Sequence, residues 1–212
     1  VWPIITGSSR GIGAAIAREF CRRGHLYYGF SRWNDVDVSD YSSVKREFEG
    51  FYHPEQHLPE VLINNAGIVE LGSVLELTPE DWEKQFAVNL HGVFYCCKEY
   101  VKLLRAKDKP GKIINIASTS GMLTPRPGRS AYAASKAAVI SFSLSLAEEL
   151  RPYGIKVYCV APGACNTDLR KAIYPDDNFD NMMQPADLAR FVVDIAEGGE
   201  MLDNQVLIAR GL

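Results

Sequence analysis

Four short, mainly apolar runs, Val1 to Ile5, Val61 to Ile63, Lys112 to Ile116 and Ile155 to Val160, constrain this chain more than any other feature. Each stops at small or polar residues, and helical patterns separate them. Runs of this length, rich in Val and Ile, suit strands buried on both faces, as in a parallel sheet covered by helices. The alternation therefore predicts an α/β chain with a doubly wound parallel sheet. Open sheets of that kind bind ligands outside the carboxyl ends of their strands. The residues at those ends are Thr6-Gly7, Asn64-Asn65-Ala66-Gly67, Ala117-Ser118 and Ala161-Pro162-Gly163. All should lie on one edge, and function is expected there.

The first run leads into Gly7-Ser8-Ser9-Arg10-Gly11-Ile12-Gly13 and a helical pattern to about Arg23, with Ile12, Ile16 and Phe20 on one face. A strand, a glycine-rich turn and a helix make a dinucleotide-binding arrangement. The glycines allow a tight turn and a close backbone approach to pyrophosphate at the positive end of the helix. The spacing is G-x3-G-x-G rather than the commoner G-x-G-x2-G. Taken alone it fits an ordinary strand-to-helix turn equally well.

Tyr132-Ala-Ala-Ser-Lys136 follows Ser118 by fourteen residues. On a helix, positions i and i+4 share a face, so the phenol and the ammonium would stand side by side. A phenol with a pKa near 10 is a poor proton carrier at neutral pH, and an adjacent cation favours its ionised form. That pair could work as an acid/base device. A second such pair, Tyr41-Ser-Ser-Val-Lys45, shows that spacing alone does not identify one. Tyr132 opens the helix after Ser118, at the predicted ligand edge. Tyr41 opens an early helix with no other chemistry-bearing residue nearby, and is read as a solvated helical pair.

Taken together, Thr6-Gly7-x3-Gly11-Ile12-Gly13, Asn64-Asn65-Ala66-Gly67, Asn89, Ser118, Tyr132-x3-Lys136 and Pro162-Gly163-x3-Thr167 resemble the short-chain dehydrogenase/reductase family in order and spacing. The match covers nearly the whole chain. It implies a single-domain Rossmann fold over residues 1–212 and hydride transfer between a nicotinamide cofactor and a carbonyl or secondary alcohol. By that resemblance Tyr132 is the general acid/base, and Lys136 lowers its pKa and holds the nicotinamide ribose. Ser118 steadies the substrate oxygen, with Ser120 as its competitor, and Asn89 kinks its helix to hold a water of the proton relay. Gly7, Ser9, Arg10, Gly11, Ile12 and Gly13 line the pyrophosphate. Asn65, Ala66 and Gly67 meet the adenosine side, Asp37 and Val38 the adenine. Pro162, Gly163 and Thr167 flank the nicotinamide. A homodimer or homotetramer is implied, paired through residues 79–105 and 131–150. Two alternatives stay open: a ketoreductase of 3-oxoacyl thioesters, and a non-catalytic nucleotide-binding regulator.

Cofactor identity turns on Arg10 and Arg32. An acid at the end of the second strand would favour the 2′-hydroxyl of NAD. Here Leu26 to Phe30 ends in Ser31-Arg32, and two guanidinium groups suit the 2′-phosphate of NADP. NADP is expected over NAD, with Asp35 and Asp37 as the opposing features. Residues from about Asp168 to Gln184 are expected to cover the substrate, with Met122 and Leu123 opposite and Cys165 near it.

One interval is too short. In the family a helix crosses between Ser31-Arg32 and Asp37-Val38, and parallel neighbours need about a dozen residues to cross over. Only Trp33 to Val36 intervene here. Either the third strand is lost and Asp37-Val38 reaches the adenine by another route, or a segment is missing between the motifs. The second is expected, with a chain break near Trp33–Asp35 and another within 170–182.

The remaining signals are compositional. Residues Thr78-Pro79-Glu80-Asp81 and Pro185-Ala186-Asp187 read as helix starts, and Gln205 to Ile208 as a last strand. With 212 residues and 47% apolar content there is ample core for one domain. A net charge of −3 gives no basic face for nucleic acid. No run reaches membrane-spanning length, and no leader pattern precedes the first strand. Five cysteines without paired spacing suggest the reducing cytoplasm, and the four histidines share no metal-ligand spacing. Cys96 and Cys97 read as packing residues.

Overall fold

The computed structural model describes residues 1–53, 55–198 and 206–210. In chain order these form β1 (Pro3–Thr6), α1 (Gly11–Arg22), β2 (Tyr28–Phe30), α2 (Tyr41–Glu49), β3 (Val61–Asn64), α3 (Pro79–Phe86), α4 (Gly92–Lys107), β4 (Gly111–Ile116), α5 (Ser130–Leu150), β5 (Ile155–Pro162), α6 (Asp168–Ile173), α7 (Pro185–Glu197) and β6 (Val206–Ala209). Gln205, expected in the last strand, lies outside the described residues.

The six strands make one sheet in the order β2-β1-β3-β4-β5-β6, and every pairing is parallel. Successive side chains on a strand face opposite ways, and here that alternation builds two cores. Ile4, Leu62, Ile113 and Val157 pack on one face against Tyr100, Leu104 and Val139 of α4 and α5. Ile5, Ile63, Ile114 and Val160 pack on the other against Ile16, Phe20, Val192 and Val193 of α1 and α7. Fully burying one such Ile or Leu is worth about 1.5–3 kcal/mol, which makes a one-residue slip of register costly.

Local signals set the helix starts. The Thr78 hydroxyl accepts from the Asp81 N–H at 3.0 Å, with Pro79 opening the first turn of α3. Between α3 and α4 the helix widens into a π turn over Ala87–His91, the kink expected at Asn89.

The expected break near Trp33 is not there. The backbone runs from Ser31 through a single 3-10 turn, Arg32–Asn34, and reverses at Asp35, whose φ is +57°. The Val36 N–H donates to the Ser31 carbonyl at 3.1 Å. Val36 and Val38 are then buried in the first core. The third strand is lost and β2 becomes the sheet edge, because four residues cannot make a crossover but can close a turn. The chain is also continuous through 170–182, where α6 is followed by turns and a bridge between Cys165 and Met183.

Candidate active site

The carboxyl ends of β1 and β3 are clamped together. The Thr6 hydroxyl accepts from the Asn65 and Ala66 backbone N–H groups at 2.9 and 3.0 Å. The Asn65 amide donates back to the Thr6 carbonyl at 3.0 Å and to that of Gly7 at 3.3 Å. Gly7 has φ +65°, and a Cβ there would stand 2.9 Å from the Ala66 Cα, so the turn requires glycine. A Cβ on Gly13 would stand 2.2 Å from the Gly7 carbonyl oxygen. Its absence lets α1 press onto the loop, and Gly13 does not line the cavity that opens above.

That cavity, about 480 Å³, runs along the sheet edge. Gly7, Ser9, Arg10, Gly11 and Ile12 line its middle, beside the start of α1, where helix amides and the macrodipole favour an anion. Arg32, Asp37 and Val38 line one end, with Asn65, Ala66 and Gly67 beside them. Ser118, Tyr132, Lys136, Pro162, Gly163 and Thr167 line the other. The residues along the cleft, the glycine cradle and the helix start fit a dinucleotide. Of the residues expected to cover the substrate, Asp168 and Leu169 reach the cavity.

Tyr132 sits in the first turn of α5, half-buried. Lys136 is buried and its Nζ donates to the Ile116 carbonyl at 2.9 Å. The cost of desolvating an ammonium pulls Lys136 down to about 8. Burial likewise pushes the Tyr132 phenol up, against a hydrogen bond with Ser118 and the charges of Arg129 and Arg170. The expected lowering of the phenol by Lys136 is therefore not seen, since burial dominates and the arginines supply the nearby charge.

Asn89 is buried rather than a surface amide. Its Oδ1 accepts from the Ile68 N–H at 2.8 Å, and its Nδ2 donates to the Ile68 carbonyl at 3.0 Å and the Ser135 hydroxyl at 3.1 Å. Ser135 donates in turn to the Tyr132 carbonyl at 2.8 Å. Asn89 thus ties the π turn and the loop after β3 to the turn carrying Tyr132, without lining the cavity itself. Ser118 lines the cavity, while the Ser120 hydroxyl accepts from Arg129 Nη1 at 3.4 Å. This separates the two serines.

At the far end, Arg32 Nη2 meets Asp37 Oδ2 at 3.0 Å. Burial works to raise the Asp37 carboxyl, yet hydrogen bonds from Ser39 and the charge of Arg32 hold it below its usual value. Arg10 is exposed beside the same cleft.

The substrate-facing positions expected for Met122, Leu123 and Cys165 do not survive. Met122 and Leu123 are exposed and do not line the cavity. Cys165 is buried in the second core, where burial pushes its thiol up to about 11. Tyr41 donates to Glu99 at 2.6 Å and Lys45 pairs with Glu49, so the second Tyr-x3-Lys pair is engaged away from the cleft. Arg129, Tyr174 and Arg170 were missed. Arg129 precedes Tyr132 by three residues, which was the available signal. Among the described residues no group of His, Cys, Asp and Glu could hold a metal, and no helix is long and apolar enough to cross a membrane.

Residues 31–178 match the short chain dehydrogenase family. The chain is 34% identical over 188 residues to 2,3-dihydro-2,3-dihydroxybenzoate dehydrogenase of Escherichia coli, covering 84% of this chain and 74% of that protein. It superposes on the 3-ketoacyl-(acyl-carrier-protein) reductase of Brucella melitensis complexed with NADH, with a TM-score of 0.86, 25% identity and 99% and 96% of the two chains covered. ElxO with NADP bound is similar at a TM-score of 0.86 and 25% identity, covering 98% of this chain and 96% of that one.

Proposed function

The chain belongs to the short-chain dehydrogenase/reductase family of hydride-transferring oxidoreductases, and on that premise we propose an NADP-dependent enzyme in which Tyr132 passes the proton between a carbonyl and its secondary alcohol. The observation that carries this reading is the meeting of Ser118, Tyr132 and Lys136 on the cavity that also holds the glycine-rich loop.

A bound nicotinamide cofactor would supply the hydride in reduction and take it up in oxidation. Gly7, Ser9, Gly11 and Ile12 cradle its pyrophosphate, and Asn65, Ala66 and Gly67 form the wall of the adenosine side. Pro162, Gly163 and Thr167 flank the nicotinamide end. Ser118 donates to the substrate oxygen and steadies the negative charge that develops there. Tyr132 gives its phenolic proton to that oxygen in reduction and takes it back in oxidation. Lys136 is held by the Ile116 carbonyl, one helical turn on from Tyr132. Asn89 acts as a positioning residue for the turn that carries Tyr132.

Arg10 and Arg32 read the 2′-phosphate. Asp37 competes for Arg32, so the preference for NADP over NAD should be moderate. An intact Ser-Tyr-Lys set speaks against a regulator without activity. The exposed Phe94 and Leu144 lie on α4 and α5, and Phe94 packs on Phe142 with ring centroids 6.2 Å apart. That face suits pairing of subunits into a homodimer or homotetramer. The free cysteines fit a cytoplasmic setting.

The test is a panel of carbonyl compounds incubated with NADPH and, separately, NADH, followed by loss of the reduced-nicotinamide absorbance. Oxidation of NADPH with at least one carbonyl compound is expected. Intact protein that binds neither cofactor would overturn the reading.

A further inference from the structure

Arg129 is a guanidinium with nine-tenths of its surface buried and, among the described residues, no carboxylate to answer it. It stands at the start of α5, where the helix dipole already adds positive potential. Its Nε donates to the Tyr174 hydroxyl and its Nη1 to the Ser120 hydroxyl at 3.4 Å, and among the described residues it makes no ion pair. Arg170 lies over the Tyr174 ring at 4.7 Å but is neutralised by Asp177. Arg129 lies over the same ring at 4.4 Å, and exposed Arg126 stands 6.0 Å away. Three cations therefore surround one phenol with one acid among them. A buried, uncompensated charge is costly, and structural latching of the segment after Thr167 needed only the Arg170–Asp177 pair and the tyrosine ring.

The location gives the surplus charge a use. Arg129 comes one turn before Tyr132, and Ser120 lies two residues past Ser118, with its N–H donating to the Ser118 hydroxyl at 3.1 Å. None of Arg129, Ser120 and Tyr174 lines the cleft itself, but the charge of Arg129 reaches the Tyr132 phenol, so the cluster stands next to the reacting end and away from the glycine loop and the adenosine end. Resting on the reductase reading above, we infer that Arg129, with the Ser120 and Tyr174 hydroxyls, recognises a carboxylate carried by the substrate a few bonds from the reacting carbonyl. The substrate class is then a short oxo acid, or its hydroxy acid in the oxidative direction. A planar guanidinium with two flanking hydroxyl groups suits a carboxylate, which takes paired hydrogen bonds in one plane. A neutral acyl thioester would leave Arg129 unanswered.

The test compares pyruvate, acetoacetate and levulinate with their methyl esters under NADPH, for the native chain and for Arg129→Met and Arg129→Lys. Native protein should reduce at least one acid with a kcat/KM about 10- to 100-fold above that of its ester, the size of a charge-assisted hydrogen bond. Arg129→Met should collapse that ratio toward one, chiefly through KM, and Arg129→Lys should restore part of it. Equal turnover of acid and ester, or a ratio unchanged in Arg129→Met, overturns the inference. Melting curves of both variants identify a folding defect, and the native acid-to-ester ratio decides the matter even if they fail to fold. Dihydroxyacetone phosphate, against dihydroxyacetone, tests the other anion, and a larger preference there would replace the carboxylate by a phosphate. Turnover of neutral ketones alone sinks this inference and leaves the reductase standing. No turnover of any carbonyl compound sinks both.

Discussion

At the scale of single residues, the site rests on two groups whose charged forms burial disfavours. Burial holds Lys136 at about 8, below the 10.5 of an unperturbed lysine. Below about 8 both the folded and unfolded chains carry this proton, and the folded chain bears the full desolvation penalty. Between about 8 and 10.5 the unfolded chain binds more protons, so this group's contribution to stability rises with pH. Lys136→Met should therefore melt above the native chain near pH 7, partly offset by the unpaired Ile116 carbonyl. Its advantage should shrink steadily toward pH 10, as thermal melts of both proteins over that range would record. An advantage that grows with pH would contradict the burial argument. The pairing of Tyr132 with Lys136 could be read from spacing, but the direction of the phenol's shift could not, because desolvation depends on what the rest of the chain packs over the ring. The same applies to Arg129. Its place one turn before Tyr132 is visible in the sequence, yet only the fold brings Tyr174 and Arg170 to it.

At the scale of elements, the glycine-rich loop shows why the same residue type carries different weight at different points. A methyl group on Gly13 meets backbone at 2.2 Å, whereas one on Gly50 meets nothing within 4 Å. Gly50 also has helical angles, φ −59° and ψ −33°. Gly13→Ala should cost about 1–3 kcal/mol or more, as overpacking does. Gly50→Ala should be neutral or add about 0.4–1 kcal/mol by restricting the unfolded chain. Urea titrations of the two variants give the comparison, and equal midpoints would refute it. The turn after β2 makes a second element-scale prediction. Asp37→Ala should free Arg32 and raise the affinity for NADPH relative to NADH. Arg32→Ala and Arg10→Ala should each weaken NADPH by about 10-fold or more and NADH far less. Equal losses for both cofactors, measured by fluorescence titration, would show that these arginines do not read the phosphate. Strands, helix starts and the Asn89 kink were legible because caps and apolar runs act locally. The closure from Ser31 to Val38 was not. The crossover rule correctly excluded a parallel strand, but it could not show that Val36 and Val38 would find the core through a short 3-10 turn.

At the scale of the whole molecule, the parallel sheet collects the ends of β1, β3, β4 and β5 on one edge, and every expected catalytic or cofactor-binding residue except Gly13 and Asn89 lines one cavity there. Those two act from behind it, one by close packing and one by hydrogen bonds. The pairing proposed through the α4 and α5 faces would use helices that flank the sheet rather than that edge. Light scattering at micromolar concentration should give the mass of a dimer or tetramer of this 23.6 kDa chain, and a monomer would count against the assembly. The central claim is that one edge serves both tasks, with cofactor binding spread along the cleft and proton transfer resting on one phenol. Tyr132→Phe separates them most directly, because the ring still packs while the proton is gone. NADPH affinity should stay within about threefold of the native value, and turnover should fall by about 10²-fold or more. A Tyr132→Phe protein that keeps most of its turnover would contradict the account.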